Sequence, residues 1–221
     1  MSFEALPAAR CESPLLGEFG TDEFSIAVFH GMRVAGRRRQ SFESESFIAD
    51  LSAVPRRVVA GRGAASWLAT QGIVCPSRLL GSAPLGKDGL IVQLHIDQYL
   101  LVDQTVGGAA PALFECPIGR ASDDRLVVAF DTADIALGGP ARADILAELC
   151  AVELDYASDD WSSVRLAHCE VALWHRVVPA PHTRVLCTAA DARYLFGVLR
   201  ECMQALQGDV IGFDDFLRLG S

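Results

Sequence analysis

Residues 126–206 read LVVAFDTADIALGGPARADILAELCAVELDYASDDWSSVRLAHCEVALWHRVVPAPHTRVLCTAADARYLFGVLRECMQAL, and the periodicity of this stretch decides the fold class. It opens on LVVAF (126–130), a short apolar run of strand type. Gly138-Gly139-Pro140 then starts a helix that runs to Cys150, with proline in the first turn where its missing N–H costs nothing. Ile145, Leu146, Leu149 and Cys150 form the apolar face of that helix. SVRLAHCEVALW (163–174) and TRVLC (183–187) read as two further strands. Thr188 and Asp191 have the spacing of a capping box, so a helix begins there. Leu195, Val198, Leu199, Cys202 and Leu206 recur on one face of it, and Gly208 is its expected stop.

The same plan is fainter upstream. Val58-Val59-Ala60, then Gly61-Arg62-Gly63, then Ala64 to Gln71 read as strand, glycine turn and short helix, with Gly72 at the helix C-terminus. LIVQLHIDQYLLVDQ (90–104) alternates with period two and has a tight turn at Asp97-Gln98, which predicts a hairpin. Residues 26–34 read as a short strand and 35–55 as polar, irregular chain. The expectation is an α+β protein of one domain, 51–221, made of two ferredoxin-like halves, behind an extended N-terminal arm at 1–50.

Composition narrows function. Of the 221 residues 51% are hydrophobic and 21% charged, which excludes a largely disordered chain. Alanine content or a buried interface accounts for the high apolar share. A formal net charge of −9 argues against nucleic-acid and anionic-membrane partners. No apolar stretch approaches the ~20 residues of a membrane span. The N-terminus MSFEALPAARCES lacks the apolar core of a secretory signal. Seven cysteines, none in a C-x-x-C pair, fit reduced thiols in a cytoplasm.

No site for chemistry is legible. G-R-G-A-A-S (61–66) is not a dinucleotide fingerprint, and no Walker motif or G-x-S-x-G elbow occurs. His168, Cys169, Glu170, His175 and His182 are close in sequence, but strand neighbours point to opposite faces and do not converge on a metal. No cysteine is marked as activated beside a histidine. The expected catalytic, cofactor and metal residues are therefore none. The run Arg37, Arg38, Arg39 is either a solvated loop or a contact with an acidic partner chain.

LGGPARADILAELCAVELD (137–155), VRLAHCEVALWHR (164–176) and ADARYLFGVLREC (190–202) resemble the gamma subunit of heterotetrameric sarcosine oxidase. GRGAASWLATQGIVCPSRLL (61–80) leading into LHIDQYLLV (94–102) fits the first half of that family. Phe196 stands where the family often has Trp, and His95 to Gln98 where it often has Gly-Pro-Asp-Glu. The resemblance implies a fold similar to the folate-binding domain of aminomethyltransferases. It also implies a non-catalytic accessory subunit of a complex that oxidises an N-methyl amino acid. FAD, FMN, NAD and tetrahydrofolate would then reside in or between larger, flavin-bearing partner subunits. The alternatives are a stand-alone tetrahydrofolate-binding or one-carbon-transfer protein on the same fold, and an unrelated binding protein or enzyme.

Overall fold

The computed structural model describes residues 11–87, 89–103, 113–114, 119–121, 124–154 and 161–219. In chain order its strands are β1 (Cys11–Glu12), β2 (Phe24–Phe29), β3 (Met32–Arg38), β4 (Phe47–Asp50), β5 (Arg56–Ala60), β6 (Ser82–Leu85), β7 (Gly89–His95), β8 (Gln98–Val102), β9 (Gly119–Ala121), β10 (Arg125–Ala129), β11 (Thr132–Gly138), β12 (Ser162–Leu166), β13 (Cys169–Arg176), β14 (His182–Thr188) and β15 (Asp209–Ile211). The helices are α1 (Ala64–Thr70), α2 (Ala141–Leu149), α3 (Ala189–Ala205) and α4 (Phe213–Arg218). The class is α+β, as the sequence implied.

The chain divides into two compact units where a single domain was expected. The breaks fall at Ala53/Val54 and Asp131/Thr132, so the first unit takes its chain from both sides of the second. Periodicity reports what each segment does locally and is blind to which segments share a core. That is why the division was not visible.

The first unit contains a six-stranded sheet in the order β12-β13-β14-β11-β4-β15 and a small sheet in the order β1-β3-β2. Chain from Thr132 onward supplies strand, helix, three-stranded meander and helix. β14 returns antiparallel to β11 over its whole length, from Thr132↔Thr188 to Gly138↔His182. The sheet has two strands more than the four of a ferredoxin-like half, because β12 extends one edge and β4 lies between β11 and β15. The extended-arm expectation for residues 1–50 is overturned from Cys11 onward. β4 is an inner strand of the main sheet, and Leu15, Phe19, Phe24 and Ala35 are buried in its core. Their spacing follows no single period, since Leu15 and Phe19 flank a 3-10 segment (Leu16–Glu18) that buries nothing itself, and Phe24 and Ala35 come from the two strands of a hairpin. Residues 1–10 of the expected arm lie outside the described residues.

α2 and α3 cover one face of this sheet. Ile145 and Leu146 of α2 and Leu195, Phe196 and Leu199 of α3 pack with Ile135, Leu137, Leu173 and Val185. The cap of α3 was legible: Thr188 Oγ1 accepts from the Asp191 amide at 3.2 Å and donates to the Asp191 carboxylate at 2.8 Å. Its buried stripe is Ala192, Leu195, Phe196, Leu199 and Met203, while Leu206 lies beyond the helix and is exposed. Phe196 packs 5.3 Å from the Phe19 ring.

The second unit holds a six-stranded sheet in the order β6-β7-β8-β5-β10-β9. Ala64 and Leu68 of α1 pack on Val59, Ile91, Leu101 and Val127. α1 ends as expected: Gly72 takes φ +75°, its amide reaches Ala69 O, and Ile73 N reaches Leu68 O, both at 3.0 Å. The predicted hairpin is β7–β8, with its turn at Ile96-Asp97, one residue earlier than expected. Gly61 serves the strand-to-helix turn. At φ +111° a side chain there would lie 2.3 Å from the Asp124 carbonyl oxygen. In both units a strand is followed by a helix and then by a meander whose last strand pairs antiparallel with the first. The order follows the plan read from the sequence with β6 added and 163–174 split at Ala167-His168 into β12 and β13, but LVVAF (126–130), read as the strand before α2, is β10 of the second unit's sheet, and β11 takes that place.

Candidate functional site

Successive residues of a strand point to opposite faces, so β14 serves two environments. Val185 and Cys187 join the core beneath α2 and α3, and Thr183 on that face bonds His175 at 2.7 Å. His182 and Arg184 point the other way. Pairing sets Trp174 opposite Arg184 and Arg176 opposite His182. Asp134 accepts from Arg184 Nε at 3.1 and 3.2 Å and also from Nη2, a two-pronged pair with both side chains at most 1% exposed. The Arg184 and Arg176 guanidinium carbons lie 5.1 and 4.7 Å from the Trp174 ring centre. A charge can sit this deep because its partner and an aromatic face replace the lost water.

His182 closes this polar face. Its Nδ1 is 2.7 Å from the Ala180 carbonyl oxygen, and its ring meets Phe216 of α4 edge-on at 5.0 Å. Burial pushes its pKa down from 6.5 to about 4; Arg184 and Arg176 press the same way, while the Ala180 bond and Asp134 oppose. Asp50, on the helix-covered face, accepts from Ser13 Oγ and from the Ser52 amide at 2.9 Å. Burial outweighs those bonds and raises its pKa. Both groups have the perturbed acidity of catalytic residues, yet Asp50 and His182 are each only 1% exposed. They lie on opposite faces of the first unit's main sheet.

That arrangement has a measurable pH signature. With a folded pKa of about 4 against 6.5 when free, the unfolded chain binds the extra proton between these values. The contribution of neutral His182 is complete above pH 6.5 and is lost as pH falls towards 4, a change of about 3 kcal/mol. Urea titrations of the parent and of His182→Gln at several pH values should therefore converge in slope only above pH 6.5. Parallel pH dependence of the two proteins would refute the assignment.

An open groove of about 430 Å³ lies where β11 passes into α2, lined by Glu45, Phe47, Gly139, Pro140, Arg142 and Pro181 among others. A side chain at Gly138 would overlap the Phe47 ring at 2.0 Å, and one at Gly139 (φ +78°) would lie 2.2 Å from Glu45 O. The first amide of α2, at Ala141, is taken by Ser46 Oγ at 3.0 Å, so one of the free amides at this helix N-terminus is already satisfied. The glycines serve packing here.

The sequence-selected residues do not converge. Arg37 and Arg38 end β3 instead of lying in a loop. Arg38 Nη1 pairs with Asp209 Oδ1 at 2.7 Å and its amide with Asp215 Oδ2, also at 2.7 Å. Arg37 lies 3.8 Å from Asp215 with its side chain 60% exposed, and Arg39 is exposed. The run thus ties β3 to β15 and α4, with Arg37 and Arg39 left at the surface. His168 sits in the β12–β13 turn, Glu170 pairs with Arg165 on the surface, and His175 and His182 face opposite sides of the sheet. Among the described residues no three His, Cys, Asp or Glu are grouped to hold a metal ion. Burial raises the pKa of the Cys75, Cys169 and Cys202 thiols, which keeps them protonated. Cys116 lies outside the described residues.

One surface feature was missed. Val74, Leu79 and Leu80, on the chain between α1 and β6, are 78%, 61% and 44% exposed, and Ile96 at the β7–β8 turn is 70% exposed. The Leu80 amide donates to Gln93 O at 2.8 Å, which lays this chain beside β7. Leu80 has φ +58°, a strained setting for leucine. The only signal was apolar residues in IVCPSRLL (73–80) without helical or strand period.

The architecture matches solved structures. A chain of heterotetrameric sarcosine oxidase from Corynebacterium sp. U-96, in complex with pyrrole 2-carboxylate, superposes over 89% of this chain and 96% of its own, with TM-score 0.56 and 17% identity. Glycine cleavage system aminomethyltransferase T from Bartonella henselae superposes over 93% of this chain with TM-score 0.64 and 15% identity. The fold is shared with both enzymes. The chain spans 61% of the aminomethyltransferase. No family model and no curated protein matches the sequence. Among the described residues no helix is long and apolar enough to cross a membrane.

Proposed function

We propose that this chain is a non-catalytic accessory subunit of a heteromeric, flavin-bearing oxidase acting on an N-methyl amino acid, resembling the gamma subunit of sarcosine oxidase. The observation that carries this reading is the superposition on 96% of a chain that belongs to a heterotetramer. The titratable groups with perturbed acidity support it, since His182 and Asp50 are enclosed where no substrate reaches them. The exposed apolar residues Val74, Leu79, Leu80 and Ile96 are this reading's candidates for the surface on which a larger partner docks. Arg37 and Arg39 are the members of the arginine run available to steer that encounter.

The test is co-expression of a tagged chain with candidate flavoprotein partners. A complex that carries flavin absorbance and turns over an N-methyl amino acid is expected, with a colourless, inactive chain when it is expressed alone. Leu79→Asp and Ile96→Asp should each lower recovered partner by on the order of tenfold, the effect of losing one interface anchor. Their melting temperatures should stay near the parent's, as for other surface changes. Full recovery of partner with both variants would move the contact elsewhere on the chain.

A second reading draws on the higher TM-score with aminomethyltransferase T, 0.64 against 0.56. In it the chain binds tetrahydrofolate alone and handles one-carbon units. Calorimetric titration of the singly expressed chain with tetrahydrofolate separates the two. Tight stoichiometric binding favours the second, and heat of dilution only favours the first.

A further inference from the structure

We infer that the polar face of β13 and β14 holds a buried water molecule that accepts from Arg184 Nη1 and Trp174 Nε1 and donates to His182 Nε2. These three atoms are buried, and none has a hydrogen-bond partner among the described residues. The side chains themselves are at most 1% exposed. Buried polar atoms are satisfied in the great majority of folded proteins, so three on one patch call for a common explanation. The patch is continuous. Trp174 pairs directly across from Arg184, and His182 lies two residues along the same strand and so on the same face.

The chemistry of the three atoms selects the occupant. Asp134 engages Nε and Nη2 of Arg184, which leaves Nη1 as a donor directed elsewhere. The indole Nε1 of Trp174 is a donor only. His182 Nδ1 faces the Ala180 carbonyl at 2.7 Å, so Nδ1 carries the proton and Nε2 of the neutral ring is an acceptor. Two donors and one acceptor match the bonding of a single water, which takes two to four such partners when buried. An anion fits less well. Asp134 already neutralises Arg184, and the Nε2 lone pair would face the added charge. The water would bridge the two strands on this face and hold His182 in one tautomer.

The experiment uses the full chain labelled with 15N and observes the indole N–H signals, three for the three tryptophans. Trp174→Phe identifies which signal is Trp174. That signal should show cross-relaxation to water with the sign of a long-lived bound molecule, and its shift should not respond when chloride is exchanged for a bulkier anion. A crystal structure of the unmodified chain provides a second readout should the variant fail to fold. Density is expected within about 3.2 Å of all three atoms, the reach of a hydrogen bond. A Trp174 signal without water cross-relaxation, or an empty dry gap in density, overturns the inference. A shift that follows the halide overturns it in favour of an anion.

Discussion

Arg184→Met and Asp134→Leu are each expected to destabilise the first unit by about 3–5 kcal/mol, the usual cost of stranding one member of a buried ion pair. Arg184 is 1% exposed and Asp134 0%, so neither can recover the missing partner from solvent. Arg184 is also stacked near Trp174, and its loss removes that contact as well. The pair itself is worth far less than either single change suggests, since desolvation offsets most of its attraction. The double variant Asp134→Leu/Arg184→Met should therefore be closer to the parent than either single variant. Chemical denaturation of all four proteins reads the cycle directly. Single-variant losses below about 1 kcal/mol, the range of surface ion pairs, would show that water reaches the pair.

Leu195→Ala and Leu199→Ala are each expected to cost about 2–5 kcal/mol, as buried leucine truncations do. Both are 0% exposed on α3 and belong to the cluster that includes Ile135, Leu137 and Val185 of the sheet. The spread depends on how far Phe196, Met203 and neighbouring side chains can close the space. Leu206, on the same expected stripe but 44% exposed, is the internal control and should change stability little when truncated. Equal losses at Leu199 and Leu206 would show that burial is not what sets the effect.

α3 shows what was readable and why. Thr188, Asp191 and the leucine spacing lie within one continuous segment, so cap, face and length are local properties. The same holds for Gly72 at the end of α1 and for the β7–β8 hairpin. β11 was not readable, although it is a central strand. TADIALG (132–138) mixes Asp134 and two alanines with Ile135 and Leu137, and from Ala133 to Gly138 it is buried on both faces, which erases the alternation of a half-exposed strand. β4 failed for the same reason: FIAD (47–50) is buried at all four positions. The Arg37–Arg39 run read as a solvated loop or a partner contact, because Asp209 and Asp215 lie more than 170 residues away from Arg38 in sequence. The polar face was hidden similarly, with Asp134 separated from Arg184 by 50 residues.

By itself the sequence determined the α+β class, the helix and meander that follow the first strand of each half, the glycine that ends α1, and the cap and face of α3. It also carried the packing motifs whose family likeness agrees with the solved neighbours. Those features depend on residues a few positions apart, where helical and strand periods and turn chemistry act. Tertiary structure alone decided the division into two units, the insertion of β4 beside β11, the burial of the Asp134–Arg184 pair against Trp174, and the exposure of Leu79 and Ile96. Each of these depends on which distant segments come together. A charge becomes expensive, or an apolar side chain is left facing solvent, only once the chain around it has settled what water can reach.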